Sequence, residues 1–246
     1  MGSRALRIGI TGSSGFLGGH LLGAMRLEAG LIPVPGLHRD LADLAATGAF
    51  LARCDQVVHL AGLSRHPDGE LLYRENCRLA ECLRDGIRAS GREIPVYLGS
   101  TTHYAKDLPY HASKRRSREL LLDSGSPVIT LRMPNAFGPY SRPFFNSVVS
   151  TFCALAAKGE TPERIDDAEL LLIDWRTLCR AILREVRKEA VTRIVTIPHR
   201  FTVRLPELWK MLQCFQEVRK AGIMPEFRSE FDLLLWETFC SYPAGE

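Results

Sequence analysis

The 246-residue sequence contains no uninterrupted apolar run of about 18 residues, so nothing in it reads as a membrane-spanning helix. It has no Cys-x-x-Cys pair and no cluster with zinc-ligand spacing, so no metal site is expected. Its seven cysteines, at 54, 77, 82, 153, 179, 214 and 240, are odd in number. Several fall within apolar periodic stretches, which predicts buried free thiols and a reducing, cytoplasmic setting. Charge of one sign is scarce. The net charge of +4 suits an anionic small ligand but lacks the clustered basic bias that nucleic acid demands. Internal repeats and low-complexity linkers are absent, and MGSRALRIGI reads as a short basic strand without a signal-peptide pattern. What remains, 46% hydrophobic and 24% charged, is the balance of one large domain or a core domain with a smaller lobe.

Up to about Pro134 the chain alternates strand-like apolar runs with amphipathic stretches. Strands are expected at 7–10, 31–37, 56–60, 94–98 and 128–132, with helices from Gly15, at 41–54, at 68–90 and at 110–122. Two prolines in 31–37 mark that strand as imperfect or edge-like. This rhythm predicts βαβ units: an α/β fold with a Rossmann-type, doubly wound parallel sheet covered on both faces. After Pro134 the rhythm changes. Helices are expected at 146–157, 177–188, 205–219 and 231–242, with short strands at 170–173 and 193–197. The expected organisation is a dinucleotide-binding core over 1–134 and a small C-terminal substrate-binding lobe over 135–246, with no separate linker.

TGSSGFLG (11–18) follows the first strand and opens the first helix. Gly12, Gly15 and Gly18 permit a tight turn, close backbone approach to a pyrophosphate and close helix–strand packing. The helix N-terminus then favours the negative charge. The cofactor contacts expected here are Gly12, Ser13, Ser14, Gly15, Phe16, Leu17 and Gly18. At the end of the second strand stands His38-Arg39-Asp40. A guanidinium suits a ribose 2′-phosphate, whereas an acid would hold a 2′-hydroxyl. Arg39 therefore favours NADP, with NAD the second choice through Asp40. VVHLAG ends a third strand in Leu60-Ala61-Gly62, where small residues let a cofactor approach the backbone, and His59 reads as a packed core residue.

Ser100 ends a further strand, and Tyr110 and Lys114 follow in the next helix. Residues four apart share a helix face. With six tyrosines and six lysines, chance yields only about 0.15 Tyr-x-x-x-Lys pairs in such a chain. The single pair therefore carries weight where it stands, after a hydroxyl at the same sheet edge. A tyrosine beside a lysine is an acid/base group whose pKa the neighbouring charge lowers. Ser100 would hydrogen-bond a carbonyl oxygen. Arg115, Arg116 and Arg118 read as a solvated helix face.

Together TGSSGFLG, HLAG, Ser100, Tyr110-x-x-x-Lys114 and LRMPNAFGP (131–139) resemble the extended short-chain dehydrogenase/reductase family, also called the NAD-dependent epimerase/dehydratase family. The stretches at 142–159 and 197–212 are similar to one branch, the bacterial capsule and O-antigen enzymes that make the UDP-N-acetyl-L-fucosamine precursor. The resemblance implies NADPH-dependent reduction of a 4-keto nucleotide sugar, with a UDP-linked substrate expected, by a cytoplasmic enzyme, with a homodimer as the expected assembly. It also implies that Lys114 holds the nicotinamide ribose and that Asn135 and Arg142 face the nucleotide sugar. Members of that branch add a zinc-containing cupin that epimerises at C3. This chain ends about where the reductase part would, so the reductase step alone is expected. Two stretches depart from the family: His103-Tyr104-Ala105 after the serine, and Asp174-Trp175-Arg176-Thr177, where Thr177 is expected to cap a helix. The alternatives are a 4-epimerase or dehydratase with tightly bound NAD, and a non-catalytic NADP-binding regulatory protein. Thr101-Thr102, where a dehydratase carries Asp-Glu, counts against dehydration. The intact Ser100, Tyr110 and Lys114 count against the regulator.

Overall fold

The computed structural model describes residues 4–245. The start of the basic N-terminal segment, Met1–Ser3, and Glu246 lie outside the described residues. The chain divides into two compact units, one of 1–133 with 178–197 and one of 134–177 with 198–246.

The first unit is built on a six-stranded sheet. Its strands are β1 (Leu6–Thr11), β2 (Leu31–Gly36), β3 (Gln56–His59), β4 (Val96–Thr101), β5 (Val128–Met133) and β8 (Arg193–Thr196), in the order β2-β1-β3-β4-β5-β8. Every neighbouring pair is parallel. The chain leaves β1 to one side for β2 and returns to the other for β3. That reversal opens a crevice at the carboxyl ends of β1 and β3, where open α/β sheets bind ligands. β2 lies at the edge, where its two prolines cost no ladder bond to an outer neighbour.

Helices α1 (Phe16–Arg26), α2 (Leu44–Leu51), α3 (Gly69–Ser90) and α4 (Pro109–Leu122) connect these strands. The helix expected over 41–54 is shorter in the structure. His38–Leu41 form a 3₁₀ turn, and Asp43 caps α2 by accepting the Ala46 N–H at 2.8 Å. Asp43 is extended as a cap must be, so a continuous helix cannot run through it. α3 begins at a cap, Asp68, which accepts the Glu70 and Leu71 N–H groups. It ends at Gly91, whose φ of 61° terminates the helix without Cβ strain. Its buried stripe includes Leu72, Asn76, Leu79, Ala80, Leu83 and Ile87.

The second unit contains a sheet that the sequence pattern does not announce. Its strands are β6 (Asn135–Phe137), β7 (Glu169–Asp174) and β9 (Phe201–Arg204), in the order β6-β7-β9. The first pairing is parallel and the second antiparallel. Helices α5 (Val148–Lys158), α7 (Leu205–Lys220) and α8 (Glu230–Cys240) complete its core, in which Phe137, Phe152, Leu212, Leu235 and Phe239 are buried. Helix α6 (Trp175–Val186) begins directly after β7. Its cap is Asp174, whose carboxylate accepts the Thr177 N–H at 2.9 Å, and not Thr177 itself. The acid precedes the first helical residue and so reaches the third N–H of the helix, which Thr177, already inside it, cannot do.

Candidate active site

Two glycines of the turn after β1, Gly12 and Gly18, leave no room for a side chain. Gly12 has φ 71°, and a Cβ there would lie 2.8 Å from the Ala61 nitrogen. A Cβ on Gly18 would lie 2.1 Å from the Gly12 carbonyl oxygen. Gly15 caps α1 without a side-chain hydrogen bond, so the N-cap leaves the first-turn N–H groups of the helix without a side-chain acceptor. Those free donors, at the positive end of a helix, suit a pyrophosphate. Ser14 is exposed, while the Ser13 hydroxyl is committed to the Gly36 carbonyl oxygen at 3.0 Å. Ser13 thus ties the turn to the end of β2.

At that end Asp40 is occupied. Its carboxylate accepts the Leu37 N–H at 2.7 Å. Arg39 is exposed, and its guanidinium has no hydrogen bond or ion pair among the described residues. Of the two groups that could meet a ribose 2′ substituent, the cation is free and the acid is engaged.

The end of β3 is drawn onto the glycine turn. Thr11 Oγ1 lies 2.8 Å from His59 Nδ1 and accepts the Ala61 N–H at 3.2 Å. His59 is buried, and burial followed by the charge of Lys114 pulls its pKa down to about 3. It is a neutral structural residue here. Gly62 has φ 147°, and a Cβ on it would meet Asn76 Oδ1 at 2.8 Å and Lys114 Nζ at 3.6 Å. Lys114 thus reaches from α4 to the chain leaving β3.

Asn76 is a residue that the motifs do not reveal. Its side chain accepts the Leu63 N–H at 2.7 Å, donates to the Leu63 carbonyl at 2.9 Å and donates to Ser113 Oγ at 2.9 Å. Ser113 Oγ in turn donates to the Tyr110 carbonyl at 2.7 Å. One buried amide on α3 therefore fixes both the loop after β3 and the first turn of α4. The available signal was a polar residue inside the apolar stripe of α3.

Ser100 is buried at the carboxyl end of β4, and its hydroxyl has no hydrogen-bond partner. Lys114, 5% exposed, has no carboxylate partner among the described residues. Its Nζ stands 5.7 Å from the centroid of the Tyr110 ring. Burial pulls the Lys114 pKa down to about 8 and pushes Tyr110 up to about 12. The expected lowering of Tyr110 by Lys114 is thus not found in the protein alone, where burial is the only cause of either shift and penalises the charged form of both groups.

The arginines after Lys114 differ from one another. Arg116 is exposed and pairs with Glu119 at 3.0 Å, as a solvated face requires. Arg115 instead donates to the Tyr104 and Lys106 carbonyls at 2.8 and 2.9 Å, bracing the loop between β4 and α4. Arg118 is half-buried, with an Nε that has no partner. Asn135 and Arg142 both belong to the second unit and are exposed, Arg142 stacking on Phe145 at 5.2 Å. Among the described residues no group of three His, Cys, Asp or Glu side chains could hold a metal ion, and no helix is long and apolar enough to cross a membrane.

The chain is similar to the UDP-2-acetamido-2,6-beta-L-arabino-hexul-4-ose reductase of Pseudomonas aeruginosa, with 27% identity over 244 residues. That match covers 96% of this chain and 65% of the relative. Among solved structures it is similar to the capsular polysaccharide assembling protein CapF from Staphylococcus aureus, at a TM-score of 0.74 and 25% identity, over 97% of this chain and 65% of that one. RMD from Pseudomonas aeruginosa, solved in complex with NADPH, superposes at a TM-score of 0.80 with 20% identity, over 98% of each chain, a likeness of fold. The chain therefore spans less than two thirds of the length of the curated relative and of CapF. The model of the NAD dependent epimerase/dehydratase family matches residues 8–188. With its parallel sheet, its glycine turn at the switch point and this match over most of its length, the chain belongs to the NAD dependent epimerase/dehydratase family.

Proposed function

We propose that this chain is a cytoplasmic NADPH-dependent reductase of the keto group of a UDP-linked 4-keto-hexose. The observation that carries the reading is the pair of half-buried Tyr110 and buried Lys114, with Lys114 Nζ close to where a Cβ on Gly62 would lie, on the helix that follows the unpartnered Ser100 hydroxyl. The residues fit a dinucleotide. Gly12 and Gly18 leave room where any Cβ would collide with backbone, and uncapped N–H groups open α1. Arg39 supports the 2′-phosphate form, and Ser14, Leu60 and Ala61 complete the expected contacts. The names of the curated relative, a reductase of a UDP-linked hexul-4-ose, and of RMD, solved with NADPH, support the same assignment.

When bound, the nicotinamide supplies hydride to the carbonyl carbon. Tyr110 gives its proton to the carbonyl oxygen as charge develops there. A pKa of about 12 keeps Tyr110 protonated at neutral pH, the form that donates. Lys114 is mostly charged at pH 7, one pH unit below its value of about 8, and it stabilises the tyrosinate that donation leaves behind. Ser100 donates a hydrogen bond to the same oxygen. Asn135 and Arg142 serve the nucleotide-sugar side within a substrate-binding lobe.

The test is Tyr110→Phe, assayed by NADPH oxidation with UDP-2-acetamido-2,6-beta-L-arabino-hexul-4-ose. Turnover is expected to fall about 1,000-fold with NADPH affinity kept within about twofold. Unchanged turnover would remove Tyr110 from the mechanism.

A further inference from the structure

Arg132 and Ser100 are register partners across β5 and β4. Side chains at paired positions of neighbouring parallel strands point to the same face, with the strands about 4.8 Å apart. That face is covered by α4, because Leu98 and Val128 pack against Leu120 and Leu121 in one cluster. The two side chains share a second property. Ser100 Oγ is buried without a partner, and so is Arg132 Nε. Arg132 also lacks any carboxylate partner among the described residues. Its guanidinium carbon lies over the Tyr104 ring, 4.4 Å from the centroid. Tyr104 is itself held, since Arg115 donates to its carbonyl oxygen.

A buried N–H without an acceptor loses its hydration and gains no bond in return, so its persistence calls for an explanation. A guanidinium only donates, and its planar face is fixed here by the ring beneath it. The missing partner is an acceptor, and it belongs beside the atom that Ser100 is placed to receive. Arg193 on the neighbouring strand shows the ordinary alternative, pairing with Glu185 at 2.9 Å.

We propose that Arg132 is a substrate-contacting residue: its Nε–H donates to a second oxygen of the sugar ring whose carbonyl oxygen Ser100 receives. The proposal rests on the keto-sugar reading given above. Two donors from register partners on adjacent strands, whose backbones lie about 4.8 Å apart, hold the ring in the plane of approach. Tyr104 and Arg115 are positioning residues in this arrangement, the first by stacking and the second by anchoring the loop. The register-specific geometry also explains why lysine would serve poorly at 132, since an ammonium has no planar face to stack and no Nε donor set back along the chain.

The experiment compares wild type with Arg132→Lys, Arg132→Met and Tyr104→Leu in the NADPH oxidation assay with the same hexul-4-ose. Both Arg132 variants are expected to lose about 50-fold in kcat/KM. NADPH affinity and the thermal midpoint stay near wild type. Tyr104→Leu loses only a few-fold. Arg132→Ala supplemented with ethylguanidinium regains part of the activity. The proposal is overturned if kcat/KM is unchanged in Arg132→Met, as a water bound to Nε would give. It is equally overturned if activity, NADPH affinity and midpoint fall together in both Arg132 variants, as a purely structural role would give. A wild-type chain that fails to oxidise NADPH with this sugar counts against the proposed function instead. Arg132 is then read from calorimetric titration of UDP-N-acetylglucosamine into the NADP-loaded protein, where equal affinities for wild type and Arg132→Met reject its role.

Discussion

The carboxyl edge of the first unit's sheet and the second unit treat their charges in opposite ways. In the second, each of three arginines is bonded to carboxylates: Arg200 to Asp174 and Glu230, Arg176 to Glu237 and Arg204 to Asp167. At the carboxyl ends of the strands of the first, Lys114 has no carboxylate, and Ser100 Oγ and Arg132 Nε have no partner at all. A fold selected for stability alone would satisfy these groups, as the second unit does for Arg176, Arg200 and Arg204. In the proposed function, Lys114, Ser100 and Arg132 are the donors of the first unit that await a bound ligand. Arginine is thus a structural brace at Arg176, Arg200 and Arg204, as it is at Arg115 in the first unit, whereas Arg132 Nε has no partner among the described residues.

The comparison predicts opposite signs for removing a charge from each unit. Burial lowers the Lys114 pKa from 10.5 to about 8, so holding that charge below pH 8 opposes folding by about 3 kcal/mol. Lys114→Met is therefore expected to raise stability at pH 7 by an amount of that order while abolishing turnover. The native state binds fewer protons than the unfolded state between pH 8 and 10.5. Wild-type stability should accordingly rise with pH across that window, and the rise should vanish in the variant. Asp174→Ala in the second unit should instead lose about 2 kcal/mol, because it strips the cap of α6 and one acceptor of Arg200. Urea unfolding of both variants at pH 7 and 9.5 reads the signs directly. A destabilised Lys114→Met would erase the contrast.

Ser100→Ala sharpens the comparison, because the hydroxyl has nothing to lose in the folded protein. Turnover is expected to fall about 100-fold, from the lost donor to the developing oxyanion. The unfolding midpoint should stay level or rise, since a buried hydroxyl without a partner contributes no stability. A clear drop in midpoint would show that Ser100 is held by the protein after all.

How much of this could be read from the sequence follows the same division. The first unit announces itself through local signals. β1, the glycine turn and α1 are contiguous, and the apolar periods of β3, β4 and β5 survive because each strand is buried on both faces. The placement of Ser100, Tyr110 and Lys114 along the β4–α4 segment came from spacing. The three-stranded sheet of the second unit was not legible. β6 has three residues, too few to show a period, and it pairs with β7 more than 30 residues away. β9 is four residues long and is recruited from the far side of α6. Strand formation there is decided by tertiary pairing and not by propensity. Asn76 escaped for a related reason, since a single amide bridging Leu63 and Ser113 has no sequence pattern, only a place in a stripe. Arg115 read as a solvated cation because nothing local reveals that the loop ahead of α4 folds back onto it.

The smallest expected effect concerns the first unit away from its carboxyl edge, where charges are paired as they are in the second. Asp55 accepts from Arg7 Nη2 at 2.7 Å and from the Arg7 backbone N–H at 2.9 Å. The Arg7 side chain, acting against desolvation, holds the Asp55 carboxyl down to about 2. A carboxyl whose folded pKa lies below its unfolded value of 3.8 adds stability above about pH 4 and loses it as pH falls through 2. The shift would correspond to more than 2 kcal/mol at a dry site, but solvent screening at this surface pair reduces it to about 1 kcal/mol. Asp55→Asn should thus lower stability by about 1 kcal/mol at pH 7 and flatten the acid limb between pH 4 and 2, with turnover unchanged. Urea titrations at pH 7, 4 and 2.5 measure both. If Asp55→Asn instead behaved like Lys114→Met and stabilised the chain at pH 7, uncompensated charge would be a property of the whole first unit and not of its ligand-facing edge.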